Sequence, residues 1–210
     1  MIIIGLTGGI ASGKSTTAQM FRDHDIPVHD ADAAVHEMMA AGGIAVAPVV
    51  DAFGPDVLAS DGCIDRQRLG AEIFSAPDRR QLLESIIHPL VTAARDRFLA
   101  IHRRAAAPFV VLDIPLLFET GGQTLCDFVI LCSVDPEIQR QRALARPGMT
   151  AGKLDAILQS QMPLATKRAM ADAVIETDHG VDATRHALEA IFDGPLRALR
   201  DSWKGDRHDA

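Results

Sequence analysis

Residues 8–15 read Gly8-Gly9-Ile10-Ala11-Ser12-Gly13-Lys14-Ser15. This is the phosphate-binding loop pattern G-x-x-x-x-G-K-[ST], which requires a strand before it and a helix after it. The chain meets both requirements. Ile2-Ile3-Ile4-Gly5-Leu6 is short, apolar and β-branched, as a buried strand is, and Thr16 to Arg22 reads as helix. In such a loop the backbone N–H groups of Gly9, Ile10, Ala11, Ser12, Gly13, Lys14, Ser15 and Thr16 surround phosphate oxygens. The helix N-terminus adds partial positive charge there. Lys14 is expected to reach the outer phosphates, and the Ser15 hydroxyl to ligate Mg²⁺.

The rest of the chain alternates strand and helix patterns, which predicts an α/β fold around a mainly parallel sheet. Further strands are expected at Pro27–His29, Phe109–Asp113, Phe128–Cys132 and Ala173–Glu176. Helices are expected over about 33–41, closed by Gly42-Gly43, and over 66–74, 78–104, 136–144 and 150–171, with a closing helix over 181–203. The start signal of the 78–104 helix is Ser75-Ala76-Pro77-Asp78, and Pro89 predicts a kink or break near His88. Residues 44–62 read as irregular, Gly194-Pro195 as an interruption of the last helix, Trp203 as peripheral packing and Lys204–Ala210 as a frayed end.

Composition narrows the partners. A net charge of −7 argues against nucleic acid or an anionic membrane, both of which need a basic surface. The longest apolar stretch, Phe109 to Phe118, is interrupted by Asp113 and is too short to span a bilayer. The three cysteines, Cys63, Cys126 and Cys132, have no C-x-x-C spacing and are expected to be reduced thiols in a cytoplasmic protein, with neither a disulfide framework nor a zinc site.

Other residues point to chemistry at the phosphate loop. Asp30 and Asp32 follow the second strand, where ligands of open α/β sheets bind. One can cap the next helix while the other accepts a proton or holds metal-bound water; Asp30 suits the first role and Asp32 the second. Asp113 ends a buried strand in the manner of a Walker B carboxylate near Mg²⁺, although such an Asp can also merely turn the chain. Arg142 and Arg146 share a helix face with no acidic residue between Arg140 and Arg146, which suits a phosphate-clamping lid better than a solvated charged face. His88 is either a pocket residue or a structural histidine. A guanine-nucleotide switch is disfavoured. Asp51-Ala52-Phe53-Gly54 matches D-x-x-G, but Thr166-Lys167-Arg168-Ala169 lacks the Asp of [NT]-K-x-D.

In order along the chain, Leu6–Ser15, Asp30-Ala31-Asp32, Ile86-Ile87-His88-Pro89, Pro115-Leu116-Leu117-Phe118-Glu119, Gln139 with Arg142 and Arg146, and Gln161, Lys167 and Ala171-Asp172 together resemble the dephospho-CoA kinase family. The resemblance covers about residues 2–180. It implies a single P-loop kinase domain in three parts. A P-loop NTPase core with a parallel sheet flanked by helices would span about 1–30, 106–140 and 172–203, a helical substrate-binding region about 31–105, and a lid about 141–171. The implied reaction is phosphorylation of the ribose 3′-hydroxyl of dephospho-CoA by ATP with Mg²⁺, giving CoA and ADP. The expected state is a monomer or small homo-oligomer in the cytoplasm.

By the same resemblance Asp32 is the catalytic base, with Lys14 and Arg142 also catalytic, Lys14 and Ser15 holding phosphates and Mg²⁺, and Arg142 and Arg146 facing ATP from the lid. Thr7, Asp32, His88, Leu116 and Phe118 lie near the acceptor, and Ser15 and Asp113 near the metal. The chain departs from the family pattern at His36, where many members have Arg, and at Thr177-Asp178, where Asn is frequent near the adenine.

Overall fold

All seven residues of strand β1 (Ile2–Gly8) are buried, which demands cover on both faces. The computed structural model describes residues 1–74 and 76–205 and supplies that cover with a five-stranded sheet of order β2-β3-β1-β4-β5. The strands are β2 (Val28–Asp30), β3 (Phe109–Asp113), β4 (Phe128–Ser133) and β5 (Ala173–Glu176). The β1–β3, β1–β4 and β4–β5 pairs are all parallel. Chain excursions leave β1 toward both sides of the sheet, so its carboxyl end, where the P-loop starts, is a switch point of the topology. Aspartates secure strand beginnings by reciprocal bonds. Asp127 Oδ2 accepts from Ile3 N while Asp127 N donates to Ile3 O, and Asp172 does the same with Val129.

On one sheet face Ile2, Ile4 and Leu6 join Val111, Ile130 and Ile175 against helices α1 (Lys14–Asp23) and α9 (Gly180–Ile191), whose Ala18, Phe21 and Leu188 are buried with them. The other face is covered in part by Leu117 and Phe118, with Met162 and Ala171 packed alongside. Helices α6 (Pro136–Leu144), α7 (Ala151–Ser160) and α8 (Leu164–Met170) follow β4. The single helix expected over 150–171 is therefore two, because Pro163 cannot donate into a continuous helix and leaves Gln161–Pro163 outside both. At the chain end α9 passes through one π-helical turn at Phe192–Leu196, around the expected Gly194-Pro195 interruption, into α10 (Arg197–Gly205). Ser75, Asp206–Ala210 and the Trp203 side chain lie outside the described residues, and with them the expectations placed on those positions.

The chain forms two compact units, Met1–Val28 with the segment from Ala105 onward, and His29–Arg104. The second is helical: α2 (Ala31–Met38), α3 (Val46–Phe53), α4 (Arg66–Phe74) and α5 (Pro77–Arg104). One expectation fails here, and of the kink or break expected near His88 the break does not occur. The supposedly irregular segment contains α3, whose Val46, Val49, Val50 and Phe53 recur at helical spacing toward the core of this unit. Pro48 lies in its first turn, where no intrahelical N–H is needed. Helix α5 continues through Pro89 without a break, because Ile86, Ile87, Leu90 and Val91 pack into the same core on both sides of the proline. Packing of that face offsets one lost hydrogen bond.

The α3 side chains anchor this second core, and Phe53 is 6% exposed with the Arg79 guanidinium over its ring. Phe53→Ala is expected to lower unfolding stability by about 3–5 kcal/mol, read from urea denaturation.

Candidate active site

The P-loop owes its curl to two left-handed residues, Ala11 at φ 58° and Gly13 at φ 81°, the latter capping α1. Gly8 is required for space, since a Cβ there would stand 2.3 Å from Ser12 Oγ and 2.8 Å from the Cys132 carbonyl oxygen. The loop's own carbonyls are held from elsewhere in the first unit. Gln139 Nε2 donates to Ile10 O at 2.8 Å, and Thr177 Oγ1 donates to Ser12 O at 3.0 Å. Ser12 N closes the turn onto Gly9 O.

Lys14 Nζ, from the first turn of α1, lies 2.5 Å from Asp113 Oδ1 at the end of β3. The pair places a buried carboxylate beside the phosphate loop, in contact with the lysine. Ser15 and Thr16 are exposed at the start of α1. Among the described residues no group of three or more His, Cys, Asp or Glu could hold a metal unaided. The Ser15 hydroxyl and Asp113 carboxylate are nonetheless hard oxygen donors of the kind Mg²⁺ uses when phosphates supply its other ligands. The Cys132 thiol below the loop is pushed up to about 12 by burial, which leaves it inert as a nucleophile.

Arg142 of α6 donates through Nη1 to Thr177 Oγ1 at 3.1 Å and through Nη2 to Thr177 O at 2.8 Å. Thr177 therefore joins Arg142 to the loop carbonyl of Ser12, a role its position outside the family pattern did not reveal. Its neighbour Asp178 accepts from Asp135 N at 2.6 Å, at the start of α6. Arg146 is exposed and lies past the end of α6 at Leu144, so it does not share a helix face with Arg142 as the spacing predicted, whereas Arg140 pairs with Asp155 of α7 at 2.8 Å. The acidic partner absent between Arg140 and Arg146 is thus supplied for Arg140 by the next helix.

Thr7 is fully buried and donates to Pro115 O at 3.0 Å. In the segment that follows, Leu116 is exposed and Phe118 is packed with Leu117 and Val129. Glu119 then accepts from Met162 N at 2.9 Å, and its Oε1 lies 2.7 Å from Lys167 Nζ, a close ion pair that falls short of hydrogen-bond alignment. Lys167 is 2% exposed and lines a cavity of about 100 Å³ with Gly9, Ser12, Gln139 and Gln161. Burial pushes the Glu119 carboxyl up, but the Lys167 ammonium and the Met162 N–H outweigh it and hold the carboxyl below its ordinary range.

The second unit carries the other predicted residues. Asp30 Oδ1 accepts from Ala33 N at 2.9 Å and caps α2, while Asp32 stands exposed in the first turn of that helix. His88 is exposed on α5. His29 packs on Phe98 with ring centroids 5.3 Å apart, and burial, joined by Arg95 and opposed by Asp30 and Glu37, lowers its pKa. The D-x-x-G match dissolves, because Asp51–Phe53 are the last turn of α3 rather than a switch loop. Sequence reasoning gave no structural role to Gln139, Glu119 or Lys167 beyond their place in motifs, since their partners are 129, 43 and 48 positions away or more than a helix distant in the chain.

The sheet order and the loop define a P-loop nucleotide-binding protein of the kinase type. The family model for dephospho-CoA kinase matches residues 2–183. A dephospho-CoA kinase of Mesorhizobium japonicum is 50% identical over 202 residues, covering 96% of this chain and all of that protein. One from Rhizobium meliloti is 51% identical over 198 residues, covering 94% of this chain and 100% of its own length. The solved structure of TT1252 from Thermus thermophilus is 34% identical and superposes with a TM-score of 0.77, covering 91% of this chain and 96% of that one. The chain belongs to the dephospho-CoA kinase family.

Thr177→Val keeps the side chain's shape but removes the hydroxyl between Arg142 and Ser12 O. It is expected to cost about 1–3 kcal/mol in denaturant unfolding. Because the folded pKa of Glu119 is depressed, the stability its charge contributes is present above the ordinary glutamate value of 4.5 and is lost as pH falls through the folded value. The melting-temperature gap between wild type and Glu119→Gln should therefore be widest near neutral pH and narrow below that value.

Proposed function

We propose that the chain transfers the γ-phosphoryl group of ATP to the ribose 3′-hydroxyl of dephospho-CoA, giving CoA and ADP. The observation that carries this reading is the family match over residues 2–183, with the P-loop formed at the sheet's switch point. The oxygen of the acceptor hydroxyl forms a bond to the γ-phosphorus as the bond to the β,γ-bridging oxygen of ATP breaks. The hydroxyl proton passes to Asp32, whose exposed carboxylate has no structural duty now that Asp30 caps α2.

The loop from Gly9 to Thr16 holds the nucleotide phosphates, and Lys14 exchanges its Asp113 partner for phosphate oxygens. Mg²⁺, held by Ser15 and Asp113 together with the phosphates, would neutralise charge on the transferring group. Arg142, fixed by Thr177, and Arg146 face the nucleotide from the 141–171 lid segment. Thr7, His88, Leu116 and Phe118 shape the acceptor side, with Thr7 and Phe118 acting as buried supports and Leu116 and His88 as exposed contacts. No helix is long and apolar enough to cross a membrane among the described residues, and we place the enzyme in the cytoplasm without a nucleic-acid partner.

The test is ADP release from ATP and Mg²⁺ with and without dephospho-CoA, with the product identified as CoA. Strong stimulation and CoA formation are expected, and stimulation only by some other hydroxyl compound would replace the acceptor. Asp32→Asn is expected to lower kcat by about 10²–10⁴-fold while nucleotide affinity holds, as general-base loss predicts. Near-normal turnover would remove Asp32 from that role.

A further inference from the structure

Three arginines of the second unit pair with carboxylates: Arg68 with Asp65, Arg79 with Glu72 and Arg95 with Asp96. Arg66, the first residue of α4, instead lies with Nη1 2.7 Å from Nδ1 of His36 on α2. A guanidinium has no acceptor atom and stays protonated, so Arg66 donates and His36 Nδ1 accepts. The imidazole in that contact is therefore neutral, with its proton on Nε2. The bond orients the guanidinium, and a neutral imidazole does not cancel its charge.

Both side chains are exposed. His36 follows Asp32 by four positions on α2, so the two share a helix face. The result is a donor-only group, the remaining guanidinium N–H bonds with the imidazole Nε2–H, on the face that carries the proposed base.

We infer that Arg66, oriented by His36, binds an anionic phosphate of the acceptor next to the hydroxyl that Asp32 serves. This rests on the reaction proposed above, whose acceptor carries a diphosphate attached to the ribose that is phosphorylated. Donor-only chemistry suits phosphate oxygens and offers nothing to a neutral hydroxyl proton or a cation. A planar fork already held by one bond loses less freedom on meeting a phosphate than a free lysine would. The cation also offsets the repulsion that an acceptor's phosphates would otherwise feel from the Asp32 carboxylate. Arg66 is a substrate-binding residue in this account, and His36 is a positioning residue acting through it.

The experiment is steady-state kinetics with each substrate varied in turn, on wild type, Arg66→Ala, Arg66→Lys, His36→Ala and His36→Gln. Loss of one charge-assisted phosphate contact predicts that Arg66→Ala raises KM for dephospho-CoA by about 10–100-fold. KM for ATP and kcat should stay within about twofold, since the change removes binding common to ground and transition states. Arg66→Lys keeps the charge without the fork and should give a rise of a few fold, which also serves if the alanine variant folds poorly. His36→Ala should raise the same KM less than Arg66→Ala does, and His36→Gln, whose carbonyl can accept from Arg66, should restore part of the loss. A KM for dephospho-CoA within about twofold of wild type in both Arg66 variants overturns the inference, as does an equal rise in KM for ATP. Absence of CoA formation by wild type would be a different failure, that of the reaction itself.

Discussion

A loop that wraps phosphate must hold its curl before phosphate arrives, and here it does so through its carbonyls. Ile10 O is held by Gln139 from α6, and Ser12 O by Thr177 from beyond β5. Thr177 also fixes what surrounds the loop, because it receives both arms of the Arg142 guanidinium and its own N–H bonds Ser133 O at the end of β4. The strand ends, the loop and Arg142 of α6 thus form one hydrogen-bonded assembly within the first unit. Such preorganisation is what electrostatic catalysis of phosphoryl transfer requires, since little covalent chemistry is left to the protein.

Two lysines of the first unit are kept in close pairs with carboxylates. Lys14 rests on Asp113, and Lys167 rests on Glu119. The two pairs differ in what they do. Lys14 sits on the P-loop, and its pair in the reaction proposed above is the one that gives way to phosphate. Lys167 is almost wholly buried, and Glu119 also takes the Met162 N–H, so that pair ties the connection between α7 and α8 to the segment after β3. Removing either buried partner would leave an uncompensated charge, which costs far more than the pair itself contributes.

Local patterns in the sequence carried much of the fold. The P-loop with its flanking strand and helix, the strands at β3, β4 and β5 and the cap at Asp30 are all short-range signals, readable from neighbouring residues alone. Prolines misled in both directions. Pro48 and nearby glycines disguised α3, although Val46, Val49, Val50 and Phe53 held its helical period. Pro89 suggested a break that packing overrode, while Pro163 separated two helices that the apolar spacing had joined. A proline removes the same bond in each place, and the burial available on either side decides the outcome.

What the sequence by itself determined is the chemistry at hand: a phosphate loop, a helix-starting aspartate pair, a strand-end carboxylate and a set of arginines, each encoded within a few residues. What only the tertiary structure decided is which of those groups are engaged and by whom. Thr177 at the loop carbonyl, Asp155 on Arg140, Glu119 on Lys167 and His36 under Arg66 are contacts between residues far apart in the chain. Periodicity and local spacing carry no information about such pairs, because they form only when separate helices and strands pack and bring distant side chains within hydrogen-bond reach.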